Sequence, residues 1–318
     1  MTQPVQADAA TFDDVAAAHP SPAPLTRARS NWLLLLVALI WGSTFVAQAV
    51  GTRSLGAFTF TGLRFALGAA VVAPFAWREW RSLRAQQRQP RPRDMAHIAG
   101  LGTLLFLGAA MQQIGMLTTS VTNAGFLTAL YIPLVPVFGW IASRQAPHWT
   151  TWLAAAGCMA GTWLLTGGGS AGGLWNLKTG DWWVIASSVP WAAHVMLVAC
   201  GQFIACSVLA LLLGVATEPI TAHGMRLALG AIVYAGVLSV GLGFTLQVVA
   251  QRHTRAADSA IVLSSETVFA AAFGALFMGD RIGDAGLAGC ALILGCVLMV
   301  QLQPLVWRWF AGTSSATT

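Results

Sequence analysis

Arg64 and Glu266 are the residues best placed to do chemistry, because each puts a formal charge well inside a long apolar run. Arg64 sits about seven residues into one run and Glu266 about eight into another. At 1.5 Å per helical residue that is a depth of roughly 10 to 12 Å. A charge so deep in a bilayer costs at least about 2.5 kcal/mol unless it is paired or hydrated, so both side chains are expected to face the inside of a helix bundle. Glu266 then becomes a proton- or cation-responsive carboxylate. Arg64 becomes the contact for an anionic group of a bound molecule, or a bias on an outward gate. The plainer alternative is that helix-end carbonyls, hydroxyls or an interfacial water neutralise each charge, which then only fixes packing.

Uncharged polar residues in the apolar runs form a second tier. Gln112 and Gln113 are adjacent, so on a helix they point about 100° apart and at most one faces a given line. Gln247, Asn123, Thr128, Tyr131, Ser264 and Ser265 offer hydrogen bonds without charge. Such groups also join membrane helices to one another, at about 0.6 kcal/mol each on average. His194 could relay protons or simply pack. Trp41 and Trp191 could wall a cavity for amphipathic molecules or fill a core. The cysteines Cys158, Cys200, Cys206, Cys290 and Cys296 all lie in apolar runs, with no C-x-x-C and no histidine at ligand spacing. They read as small packing residues, and no metal site, cofactor or catalytic residue is expected.

What must position these residues is a membrane bundle. The chain is 56% hydrophobic and 9% charged, with a mean hydropathy of +0.68, far from the roughly 25% charged residues of soluble domains. The net charge of +6 does not point to nucleic acid. Six arginines (Arg78, Arg81, Arg84, Arg88, Arg91, Arg93) cluster in one stretch between apolar runs, where they mark a cytoplasmic membrane face.

Taking about 20 residues per crossing, spans are predicted near residues 32–50, 58–77, 95–117, 121–142, 149–167, 182–198, 200–216, 227–250, 259–278 and 285–303. Residues 1–30 carry Pro20, Pro22 and Pro24 with few large apolar side chains and are expected to form a disordered cytoplasmic tail. Arg27 and Arg29 before an apolar run, with Ala47-x-Ala49 after it, imitate a cleavable signal. That run is too long for a typical signal core, so an uncleaved first span is favoured. Residues 168–181 form a Gly-rich linker and 304–318 a second cytoplasmic tail.

The runs are duplicated. Thr122–Phe138 (TNAGFLTALYIPLVPVF) and Ala257–Phe273 (ADSAIVLSSETVFAAAF) lie 135 positions apart. Each opens on a polar, small-residue step and is followed about twenty residues later by a Gly-rich apolar segment. Two halves, 31–167 and 182–303, with an odd number of spans each would be inverted relative to one another. With the N-terminus cytoplasmic, Arg27, Arg29, the six clustered arginines, Arg144, Arg252, Arg255 and Arg308 fall inside. Arg53, Lys178, Arg226 and Arg281 fall outside. That bias places both termini in the cytoplasm.

The second half is contracted. Trp41 matches Trp191 at an offset of 150, whereas Arg64-Phe65 matches Gln202-Phe203 at 138. Residues 182–216 contain no formal charge, are too long for one span and barely suffice for two. A single span there would put Arg252, Arg255 and Arg308 outside, so two shortened spans with a tight turn near Cys200-Gly201 are expected. Pro133, Pro136 and Pro190 permit kinks. Gly157-x-x-x-Gly161, with Gly289 and Gly295 in the last span, offers a close packing seam or a homodimer face.

Trp41-Gly-Ser-Thr-Phe45, Arg64-Phe65, TNAGFLTALYIPLVPVF and SSETVFAAAFG, in that order and with the duplication, resemble the EamA-type transporters of the drug/metabolite transporter superfamily across roughly residues 32–303. The resemblance implies an all-α integral membrane protein of about ten transmembrane helices, arranged as two inverted five-helix repeats with a central cavity. It implies a multi-pass carrier of the bacterial inner membrane, typically exporting amino acids, metabolites or drugs, whose partners are a small-molecule substrate and the lipid bilayer. The contracted sixth and seventh spans depart from the pattern and keep an inert or scaffold-like member as an alternative. An intramembrane enzyme is disfavoured, since no H-E-x-x-H, G-x-S-x-G or phosphate-binding loop occurs.

Overall fold

The computed structural model describes residues 27–85, 92–129, 131–144, 146, 149–165, 179–194, 200–254, 256–281, 283–296 and 298–299. Most of both predicted tails and most of the linker lie outside these residues. Among them every regular element is a helix. They are α1 (Arg27–Leu55), α2 (Ala57–Ala85), α3 (Pro92–Gly115), α4 (Val121–Thr128), α5 (Tyr131–Ser143), α6 (Trp149–Leu165), α7 (Thr179–His194) and α8 (Cys200–Thr217). They continue with α9 (Ala222–Gln251), α10 (Ala256–Leu263), α11 (Glu266–Phe273, extended by a π turn to Met278) and α12 (Asp284–Cys296). Six segments are long and apolar enough to cross a membrane: α1, α2, α3, α8, α9 and the joined α10–α11. The first helix takes in Arg27 to Ser30, which the sequence assigned to the tail.

The duplication reappears as a shared interruption. In the first copy a helix ends at Thr128 and the next begins at Tyr131, and in the second a helix ends at Leu263 and the next begins at Glu266. Adding 135 to the bounds of α4 gives 256 and 263, the bounds of α10, and adding 135 to Tyr131 gives Glu266. The two breaks have different chemical causes. In the first, Pro133 supplies no N–H, so the Ala129 carbonyl four residues upstream loses its helical donor. In the second, the hydroxyls of Ser264 and Ser265 donate to the carbonyls of Ile261 (2.5 Å) and Val262 (2.7 Å), a local alternative to the helical ladder.

Glycines set how closely the helices approach. Gly42 of α1 lies against the backbone of Glu266 and Ala270, and Gly125 of α4 lies against Ala270, so α1 and α4 meet α11 with little side chain between them. Phe45 and Ala49 share a cluster with Ala270, Val121 and Ala124, while Leu34 and Val37 share another with Ala260 and Ile261. The progression shows that α1 and the α10–α11 stretch run the same way. The π-helical segment Tyr234–Gly243 within α9 packs on α2 through Gly236, which meets Arg64 and Leu67, and through Val240, which meets Gly68.

The contracted region resolves into two helices. Gly115, at the end of α3, touches Gly180 and Val184 at the start of α7, whereas Gly102 and Ile98 touch Gln202, Ala205 and Gly201 at the start of α8. Thirteen residues separate Gly102 from Gly115, about 20 Å along α3. From there α8 returns along α2: the Ser207 hydroxyl donates to the Gly62 carbonyl at 2.9 Å, and Gly214 lies against Thr59. Thus α7 and α8 begin near opposite ends of α3, the path expected of two short crossings.

The seam predicted from the Gly-x-x-x-Gly pattern is internal. Gly161 faces the Gly289 carbonyl and Ile293, and Gly157 faces Cys296. A β-carbon at Gly161 would lie 2.7 Å from the Gly289 oxygen and 2.9 Å from Ile293. Overpacking of this kind costs about 1–3 kcal/mol. Gly161→Leu should therefore lower the thermal unfolding temperature of the detergent-purified protein by several degrees, while Gly295→Ala, with open space around it, should leave it unchanged.

Candidate functional site

A single cavity lies where α1, α2, α3, α9 and both interrupted stretches converge. It encloses about 760 Å³ of empty space counted out to its mouth. Its aromatic wall follows from helical spacing. Trp41, Phe45 and Gln48 recur at i, i+4 and i+7 on α1, and Phe244 and Gln247 at i and i+3 on α9, so each set shares a face. The Trp41 and Phe244 rings sit 5.0 Å apart and tilted, and the Phe65 and Phe244 centroids 6.4 Å apart. Trp41 is fixed by its indole N–H, which donates to the Ser239 carbonyl in the π-helical segment at 3.2 Å.

Both buried charges line this cavity, although they come from helices 202 positions apart in sequence. Arg64 is 4% exposed and Glu266 3%. The Arg64 guanidinium carbon stands 5.1 Å from the Phe65 ring centroid and 5.9 Å from that of Phe60, an aromatic cradle that offsets part of the cost of desolvation. Its Nε has no hydrogen-bond partner, and neither do Gln48 Oε1 and Tyr131 Oη, also on the cavity wall. Buried polar atoms in such numbers in one place are what a site for a polar ligand requires. Tyr131 and Glu266, equivalent under the 135-residue repeat, each stand first after a helix break and each face the cavity.

Other residues singled out by sequence take different places. Gln112 lines the cavity and donates to the Thr128 hydroxyl at 2.8 Å, which in turn donates to the Ala124 carbonyl at 2.7 Å. Its neighbour Gln113 turns away: fully buried, it donates to the Gln48 carbonyl at 3.3 Å and to the Thr52 hydroxyl, joining α3 to α1. Gln247 is on the wall. Ser265 spends its hydroxyl on Val262. Asn123 is half-buried near the start of α4, where its N–H donates to the Ser120 hydroxyl at 3.1 Å. Trp191 and His194 lie on α7, and their side chains fall outside the described residues. Phe45, Gln48, Phe65, Ser239 and Phe244 were not singled out by sequence; the i, i+4, i+7 spacing from Trp41 was the available signal for the first two. Among the described residues no group of three or more His, Cys, Asp or Glu side chains could hold a metal ion.

The sequence profile described as the EamA-like transporter family matches residues 28–167 and again 178–302. An "uncharacterized transporter" from Archaeoglobus fulgidus is 33% identical over 112 residues, which are 35% of this chain and 32% of that protein. The chain thus spans about a third of the length of the curated relative it matches. A solved crystal structure superposes with a TM-score of 0.69 over 89% of this chain and 99% of the other at 22% identity, a likeness of fold.

The Tyr131 hydroxyl on the cavity wall and the Gln113 amide behind it separate by their partners. Tyr131→Phe removes a buried oxygen that has no partner, so it should not lower the unfolding temperature. Gln113→Leu breaks the α3–α1 link and should cost about 0.6–1.7 kcal/mol, read as a lower unfolding temperature in detergent.

Proposed function

The chain belongs to the EamA-like transporter family, and on that premise we propose that it is a secondary carrier exporting small amphipathic metabolites, amino acids or drugs from the cytoplasm by alternating access. The observation that carries the proposal is one cavity holding both buried charges, each without a salt-bridge partner on its wall. A substrate with an anionic group would meet Arg64 and one with an ammonium or donor group would meet Glu266. Apolar parts would lie against Trp41, Phe45, Phe65 and Phe244. Tyr131, Gln112 and Gln247 supply hydrogen bonds that orient the cargo.

Alternating access needs two packings of similar energy whose balance a ligand shifts. Two family matches of comparable length and helix breaks at equivalent positions support an inverted repeat, in which each packing of one half has its counterpart in the other. Glu266 is the residue proposed to couple export to protons. A carboxyl that is protonated in one facing and ionised in the other changes the cost of burying the empty cavity. Both termini are proposed to be cytoplasmic, in the inner membrane of a bacterium, on the distribution of arginines. Every lining residue comes from outside α7 and α8, so the contraction of those helices leaves the cavity wall complete and counts against an inert member.

Flux in inverted vesicles under an imposed pH gradient tests the coupling. Wild-type protein should accumulate a carried amino acid or drug, and Glu266→Gln should lose gradient-driven accumulation while retaining exchange. Gradient-driven pumping that survives the substitution removes Glu266 from the mechanism. Arg64→Gln should raise KM for anionic cargo by about 10- to 100-fold, the effect of losing a hydrogen bond to a charged group, with kcat less affected. For topology, a cysteine placed directly after Arg255 should react with impermeant maleimide only from the cytoplasmic side.

A further inference from the structure

Three carboxylates lie at one end of the bundle, two from the second half of the chain and one from the end of the linker, and each bonds to the first half. Glu218, after α8, accepts the backbone N–H of Phe58 at 2.8 Å and of Thr59 at 2.7 Å. Asp280, after α11, accepts the backbone N–H of Thr122 at 3.1 Å and its hydroxyl at 2.8 Å. Asp181, in the first turn of α7, accepts the Thr119 hydroxyl. The first two therefore cap the N-termini of α2 and α4, where free N–H groups and the helix dipole favour a negative charge. The caps are supplied from across the interface between halves, whereas a helix is ordinarily capped by its own preceding residue.

Glycine turns shape that end of the molecule. Gly56, between α1 and α2, has φ of +86° and lies against the Glu218 carboxylate, so that a β-carbon there would fall within 2.7 Å of its oxygens. Gly279, immediately before Asp280, has φ of +73°. Both turns depend on the left-handed region that glycine enters freely. On the cavity side of these contacts, Arg64 and Thr128 each lie seven residues into the helix that is capped.

We propose that Glu218 and Asp280 are gating residues: their carboxylates latch the two halves together at the end opposite the arginine-rich stretch, closing the cavity on that side, and must release α2 and α4 for it to open there. The inference rests on the alternating-access reading of the same cavity. Charge-assisted bonds of this kind are strong enough to set a two-state balance yet small enough in number to be exchanged in each cycle.

The test is the rate at which a cysteine at Ser239, on the cavity wall, reacts with a membrane-impermeant maleimide, measured over the background of the five native cysteines from each face of oriented vesicles. Glu218→Ala and Asp280→Ala should each raise labelling from the face opposite the arginine-rich stretch by about tenfold, with a reciprocal fall from the other face. Glu218→Gln and Asp280→Asn, which lose the charge but keep an acceptor, should give a smaller rise in the same sense, and they carry the test if the alanine variants do not fold. Unchanged labelling in variants that keep the wild-type gel-filtration profile overturns the latch and leaves the amide-to-carboxylate contacts as ordinary helix caps. Because labelling needs no substrate, a shift without flux of any tested cargo supports the latch and removes the proposed cargo. Coupled flux with unshifted labelling does the reverse.

Discussion

Inside a bilayer no water is available to an unpaired backbone group, so irregular chain survives only where protein or a wet cavity receives it. That constraint explains why the described residues are helical almost throughout, and it gives the two interruptions of a duplicated stretch their meaning. The breaks after Thr128 and after Leu263 fall at equivalent positions and lie beside the same cavity. In one a proline withholds a donor, in the other serine hydroxyls compete for acceptors. Different residues reach the same geometry, which argues that the interruption itself is what the site needs.

A second consequence concerns charge. Arg64 and Glu266 would each be expensive against lipid, and the cavity is what makes them tolerable. The guanidinium rests near the faces of Phe60 and Phe65, and the carboxylate stands on the wall of the same space. Close helix contacts at Gly42, Gly68 and Gly125 keep lipid out of that space, so the small residues and the buried charges are parts of one solution. Trp41 connects the two parts, since its ring forms the wall while its N–H holds the π-helical segment of α9.

Much of this was legible in the sequence because burial of charge and repetition of pattern are visible one residue at a time. The 135-residue offset paired Thr122–Phe138 with Ala257–Phe273, though not the break inside each that leaves the helices Val121–Thr128 and Ala256–Leu263, and hydropathy identified Arg64 and Glu266. Choices between neighbours were not legible. Gln112 and Gln113 differ by one step around a helix, and the rotation that sends the first to the cavity and the second to Thr52 is set by packing against α7 and α8. Ser265 looked like a cavity hydroxyl but satisfies itself on Val262. Glu218 and Asp280 carry no sequence signal of a role, and only the fold brings each to the start of a helix in the other half.

Duplication also bears on why the site is chemically lopsided. Tyr131 and Glu266 occupy matched positions, each first after a helix break and each on the cavity wall, yet their chemistry is unlike: a phenol whose oxygen lacks a partner, and a carboxyl. No ligand can shift a balance between states it does not distinguish, so under the alternating-access cycle proposed above two facings lined by the same residue after each break would offer a cargo nothing to choose between. In that cycle the similar backbones would keep the two packings close in energy, and the difference between these two side chains would let the cavity respond to its occupant. Symmetry in the helices and asymmetry at residues 131 and 266 are then complementary demands of the proposed cycle.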